Sequence, residues 1–187
     1  MTDQQKRQLL RIARQAADAA LRGLPVPQDV PEDPALHEPR GAFVTLHNRG
    51  ELRGCIGRFE PVDPLYLTVR NMAVAAATED PRFRMYPVTA VELTRIDIEI
   101  SVLSPLVKTD NPLSLQLGTH GVYIRQGYAA GCFLPQVATE TGWSKEEFLS
   151  YCCASKAGMN PDAWKQPDTD VYLFTADIFH ESNKTNQ

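Results

Sequence analysis

Leu9, Leu10, Ala13, Ala16, Ala17, Ala20 and Leu21 recur three and four positions apart among polar residues. This spacing gathers them on one stripe of a helix and predicts an amphipathic helix over residues 4–22, ending at Gly23, with its apolar stripe docked on the body. Leu65, Val69, Met72, Ala73 and Ala76 repeat the helical period. Asp63 is placed to cap that second helix, Pro64 to take its first position, and Asp80-Pro81 to stop it. Residues 95–103 follow a period of two instead. Ile96, Ile98, Ile100 and Val102 face one way and Asp97, Glu99 and Ser101 the other, as in a strand buried on one face.

Residues 41–47 and 51–56 read as a β-hairpin turned through Asn48, Arg49 and Gly50. Two further strands, 122–125 and 131–134, join through Gly127, and Pro135 is placed to open a short helix over Gln136, Val137 and Ala138. Ser144 and Glu147 have capping-box spacing for a helix that turns Phe148, Leu149 and Cys152 inward and ends at Gly158. Residues 171–179, rich in aromatic and β-branched side chains, read as one closing strand. Between the first helix and the hairpin, Pro25, Pro27, Pro31, Pro34 and Pro39 remove backbone donors, so 24–40 is expected to be an extended, irregular connection. Strands and helices interleave without a βαβ rhythm. The expected fold is therefore α+β, with a mixed or largely antiparallel sheet flanked by helices.

Composition narrows the picture. With 187 residues, 43% of them hydrophobic, the chain can bury a core within one domain, or one domain with a small satellite. The formal charge of −4 comes without a basic patch, which argues against nucleic acid as a partner. The longest hydrophobic run, residues 72–77, is far below the roughly 20 residues that span a bilayer. A polar start at Thr2, Asp3 and Gln4 leads us to expect a cytoplasmic protein. Cys55, Cys132, Cys152 and Cys153 show no CxxC spacing, so free thiols are expected. His37, His47, His120 and His180 lack HxxxH spacing, so no metal site is expected. Dinucleotide, P-loop, nucleophile-elbow and zincin signatures are absent, and no cofactor can be named.

The chemistry concentrates in Glu51-Leu52-Arg53-Gly54-Cys55-Ile56-Gly57. Regular alternation would put Glu51, Arg53 and Cys55 on one face and Leu52, Gly54 and Ile56 on the other. A guanidinium beside Cys55 would favour its thiolate, the nucleophilic form. Gly54 and Gly57 would leave room for a ligand or another backbone. The plainer reading makes Cys55 a small buried hydrophobe and pairs Arg53 with Glu51. Glu99 is a candidate acid, base or orienter if its strand lies beside the hairpin. Asp80-Pro81-Arg82-Phe83 reads first as a turn, although Arg82 could take a carboxylate or phosphate bidentately.

LRGCIG at 52–57, AAATEDPRF at 75–83, IEISVLSP at 98–105 and GCFLPQVATETGWSKEEFLSYCC at 131–153 together resemble the AMMECR-type domain family. The likeness spans nearly the whole chain. It implies a single AMMECR-type domain, an α+β body with a smaller subdomain formed by an internal segment. It also implies membership of a three-part system, called AmmeMemoRadiSam, with a Memo-like protein and a radical SAM protein, in which this chain would be protein A. No reaction comes with the resemblance. It carries over Arg53, Gly54, Cys55, Ile56 and Gly57 as the signature, with Arg82 and Glu99 as associates. One departure is GCF at 131–133, where larger aliphatic residues are expected. Three functions follow: binding of a partner or small anionic ligand at the Arg53–Cys55 face, a cysteine-dependent enzyme with Cys55 as nucleophile, or a purely structural motif.

Overall fold

The computed structural model describes residues 1–181, and the chain divides into two units. Unit one comprises Met1–Leu103 and the chain from Asp177; unit two is Ser104–Ala176. In unit one, helix α1 (Asp3–Leu21) starts with a reciprocal cap. Thr2 Oγ1 accepts from Gln5 N at 3.3 Å, and Gln5 Oε1 accepts from Thr2 N at 2.9 Å. Its apolar stripe, including Leu9, Ala13 and Ala17, is buried as the spacing predicts. Strands β1 (Ala42–Asn48) and β2 (Glu51–Arg58) form the hairpin, turned tightly through Arg49 (φ 55°) and Gly50 (φ 84°). Helix α2 (Leu65–Thr78), a one-turn helix α3 (Ala90–Leu93) and strand β3 (Ile96–Leu103) follow. Strand β8 (Ala176–His180) completes a sheet ordered β2-β1-β3-β8.

Helices α1 and α2 pack on each other and on one face of this sheet, where Val69, Ala73 and Ala76 meet Val44, Leu46, Ile98, Ile100 and Phe179. The proline-rich connection is mostly irregular but contains one 3₁₀ turn, Pro34–Leu36, capped by Asp33; Leu36 is fully buried. The expected Asp63 cap on α2 is not made. Pro64 itself occupies the capping position, one residue later than expected, and the displaced Asp63 carboxylate pairs with Arg58 at 2.8 Å.

Unit two holds β4 (Val107–Lys108), β5 (Gly121–Gln126), β6 (Ala129–Phe133) and β7 (Asp170–Phe174) in the order β4-β7-β5-β6. Helices α4 (Pro135–Thr141) and α5 (Lys145–Tyr151) belong to this unit, and Phe148 and Leu149 enter its core beside Ile124 and Phe133. The Ser144–Glu147 capping box forms as expected. GCF at 131–133 has a packing reason. A Cβ on Gly131 would lie 2.6 Å from Ala157 N, at the end of the wide turn Cys152–Lys156 that continues α5. The single closing strand expected over 171–179 is two strands: the chain breaks at Thr175, so that β7 joins one sheet and β8 the other. Both sheets pair antiparallel, and the fold is α+β as expected.

Candidate functional site

The β1–β2 pairing is irregular where the signature lies. Leu46 pairs with Gly54 and His47 with Leu52, leaving Arg53 without a residue opposite it. Arg53 is thus the extra residue of a β-bulge, which re-aims a side chain. Directly paired residues share a face, so Leu52, opposite His47, joins the side of Thr45 and Cys55. Arg53 turns to the helix side with Gly54. The regular alternation expected from the sequence breaks here, and Arg53 and Cys55 are not neighbours on one face.

Arg53 is held tightly. Its Nε and Nη2 donate to the two Glu92 carboxylate oxygens at 2.6 and 3.0 Å, Nη2 also donates to Tyr86 O at 3.0 Å, and the guanidinium lies 5.2 Å from the Phe83 ring centre. Glu92 is presented by α3, whose first turn Thr89 caps, and accepts in addition from Asn48 Nδ2. The Arg53 hydrogen bonds hold the Glu92 carboxyl below the ordinary carboxylate range, and Glu92 raises Arg53 in return.

A second clamp joins β2 to the turn after α2. The Asp80 side chain is 2% exposed. Its Oδ2 accepts from Cys55 N at 2.8 Å and Arg82 Nη2 at 2.6 Å, while Oδ1 accepts from Arg82 N and Nε at 3.1 and 3.0 Å. Arg82 Nη2 also donates to Cys55 O at 3.1 Å. Both backbone groups of Cys55 are therefore bound by the Asp80–Arg82 pair, and two of the four family-like segments are tied together. Hydrogen bonds from Arg82, then from the Cys55 and Arg82 amides, lower the Asp80 pKa against the opposing effect of burial.

The glycines admit the protein's own atoms. A Cβ on Gly54 would sit 2.1 Å from Ala76 O of α2, and one on Gly57 would sit 2.1 Å from the Phe43 ring. The room expected above the strand is filled, and Ile56 packs against the first core. Cys55 is half-buried on the other side of the sheet, where Thr45 Oγ1 donates to its Sγ at 3.2 Å. Thr45 stands opposite both Cys55 and Glu99. With β1 between them, Cys55 and Glu99 are two strand spacings apart, roughly 10 Å. Arg53's carboxylate is Glu92, not Glu99.

On the helix side, Arg53, Ala77, Asp80, Phe83, Arg84 and Val88 line a groove of about 450 Å³. Beyond it the chain exposes Met85 (82%) and Tyr86 (79%). Arg84 makes no ion pair among the described residues. Among the described residues no group of three or more His, Cys, Asp and Glu is placed to hold a metal ion. Sequence reasoning missed Glu92 and the second role of Asp80. The Thr89-x-x-Glu92 spacing could have marked α3, but nothing local signals that Glu92 reaches Arg53.

These features define a class of protein: a two-unit α+β chain in which a bulged Arg-Gly-Cys strand is clamped to an Asp-Pro-Arg-Phe turn. The AMMECR1 family model matches residues 10–179, and the chain belongs to that family. A protein of Methanothermobacter thermautotrophicus is 47% identical over 184 residues, covering 94% of this chain and 93% of its own. Protein PF1979 of Pyrococcus furiosus is 43% identical over 186 residues, covering 92% and 86%. The crystal structure of the uncharacterized protein PH0010 from Pyrococcus horikoshii superposes with a TM-score of 0.87 at 38% identity, covering 97% of this chain and 94% of that one.

Proposed function

We propose that the chain is a binding module that uses the Arg53–Phe83 groove and the Met85–Tyr86 shoulder to dock a partner protein through an acidic residue set among apolar ones. The observation that carries this reading is the exposed Met85–Tyr86 pair beside a groove whose rim arginine, Arg84, has no ion pair among the described residues. Tyr, Met and Arg are enriched at protein interfaces. A rim guanidinium without a carboxylate of its own is available to one from outside, whereas Arg53 and Arg82 are already engaged by Glu92 and Asp80. The Memo-like and radical SAM proteins of the three-part system are the partners that the family resemblance suggests.

The test is co-purification and calorimetry with those two proteins from the same organism. Tyr86→Ala and Arg84→Glu are each expected to weaken binding by roughly tenfold or more, as loss of an interface anchor does, while Cys55→Ser leaves it unchanged. Failure of both proteins to bind, or equal binding by all three variants, refutes the reading.

The Thr45 hydroxyl that donates to Cys55 Sγ favours a second reading, a cysteine-dependent reaction, because it fixes the direction in which the sulfur is presented. Arg82 would be its guanidinium, since Arg82 Nη2 already donates to Cys55 O. Alkylation of Cys55 should then slow in Arg82→Ala and Thr45→Val but not in Arg53→Ala; equal rates in all three count against it.

A further inference from the structure

Arg53 also borders a second recess, of about 490 Å³, whose other walls are Asn48, Arg49, Glu51, Glu92 and Arg95. Its make-up differs from that of the groove: every lining side chain is polar or charged. Glu92 neutralises Arg53. Arg49, Glu51 and Arg95 face the same space, yet none of them has a side-chain hydrogen bond or ion pair among the described residues. Two unpaired guanidinium groups against one unpaired carboxylate leave the recess with one net positive charge. Arg49 holds its place at a positive φ of 55°, where Gly or Asn is the easier residue. Asn48 Nδ2 is committed to Glu92, which fixes that wall of the recess, while the exposed Glu51 carboxylate is left to accept from outside.

We infer that this recess binds a small anion, held by Arg49 and Arg95, that carries beside its charged group a hydroxyl or ammonium donor for the Glu51 carboxylate to accept. The chemistry is that of a hydroxy- or amino-substituted phosphate or carboxylate. Guanidinium groups bind either anion bidentately. The inference does not depend on partner docking at the groove, whose anchors are Arg84 and Tyr86.

The experiment is an amide chemical-shift titration, followed at Arg49, Gly50 and Glu51, with glycerol 3-phosphate, glycerate and uncharged glycerol. It is run on the full chain and on the Arg49→Gln/Arg95→Gln double variant, whose two side chains hold no partner that folding requires. Saturable shifts are expected with one of the two anions, at a Kd of about 1 mM. Which anion saturates first distinguishes a phosphate site from a carboxylate site. Glycerol is expected to produce none, and the double variant to bind roughly tenfold more weakly. No saturation by either anion up to about 10 mM, equal shifts with glycerol, or undiminished affinity in the double variant overturns the inference.

Discussion

Replacing Asp80 by Ala removes the buried carboxylate that joins β2 to the turn after α2. Four hydrogen bonds end on its carboxylate, two from the backbone amides of Cys55 and Arg82 and two from the Arg82 guanidinium. Arg82 is half exposed, so solvent screens its share and the guanidinium rehydrates when released. The Cys55 amide cannot do so as easily, because Gly54 beside it is pressed against Ala76 O. A hydrogen bond to a charged group contributes about 1.5–3 kcal/mol, and an orphaned buried donor costs about 1–3 kcal/mol. Counting the Cys55 amide fully and the Arg82 contacts at a discount gives a loss of about 3–4 kcal/mol. The Asp80 contribution also depends on pH. The folded pKa of Asp80 is lowered, principally by Arg82, so its contribution is present above the ordinary carboxylate pKa and is lost as pH falls through the lowered folded value. Wild type and Asp80→Ala should therefore differ by a constant amount from neutrality to about pH 5 and converge in acid. Both tryptophans, Trp143 and Trp164, lie in unit two, so their fluorescence does not follow this site. The assay is hydrogen exchange at the buried amides of Val44, Ile98 and Ile100 over a pH series. A difference under about 1 kcal/mol, or one that widens as pH falls, refutes the reasoning.

Gly54→Ala should be among the most disruptive small substitutions in unit one: its Cβ would stand 2.1 Å from Ala76 O, and either α2 or the bulge must shift, at about 2–4 kcal/mol. Urea unfolding followed by far-UV circular dichroism checks it, and a wild-type midpoint would show that the close approach is not rigid. Asp97 behaves oppositely to Asp80. Burial, with Glu181 adding to it, raises its pKa against His180, His47 and Arg14, and its Oδ1 is buried without a hydrogen-bond partner among the described residues. Its ionised form therefore opposes folding above the raised folded pKa, and this penalty fades as pH falls through it. Asp97→Asn should exchange its core amides more slowly than wild type near pH 7 and lose that advantage by about pH 4. A variant less stable at neutral pH would contradict the sign.

Periodic apolar positions and short-range caps were legible without the structure: α1, the hairpin, the alternation of β3 and the Ser144–Glu147 box all follow from interactions within a few residues. Features set by distant partners were not. The bulge at Arg53 exists because β1 and β2 slip by one residue between Leu46 and His47, and no local pattern in LRGCIG marks the slip. Glu92 finds Arg53 across 39 positions and Asp80 finds Cys55 across 25, through the packing of α3 and α2 rather than through spacing. The break at Thr175 was hidden because β7 and β8 have the same β-rich composition and differ only in which sheet receives them. Within the candidate site, Arg53, Cys55 and Arg82 were identified by residue type. Their partners, and the face each one serves, required the fold.

The order of the strands along the chain carries a consequence for synthesis. Unit two is one uninterrupted stretch whose two ends meet, with Ser104 N donating to Thr175 O at 2.8 Å and Thr175 N to Ser104 Oγ at 2.9 Å. The first sheet instead waits for β8, which brings Phe179 into a core otherwise assembled from residues before 104. On a ribosome, where domains form as they emerge, the unit that begins later can finish earlier. An edge of β3 stays open for the whole time that unit two is being made.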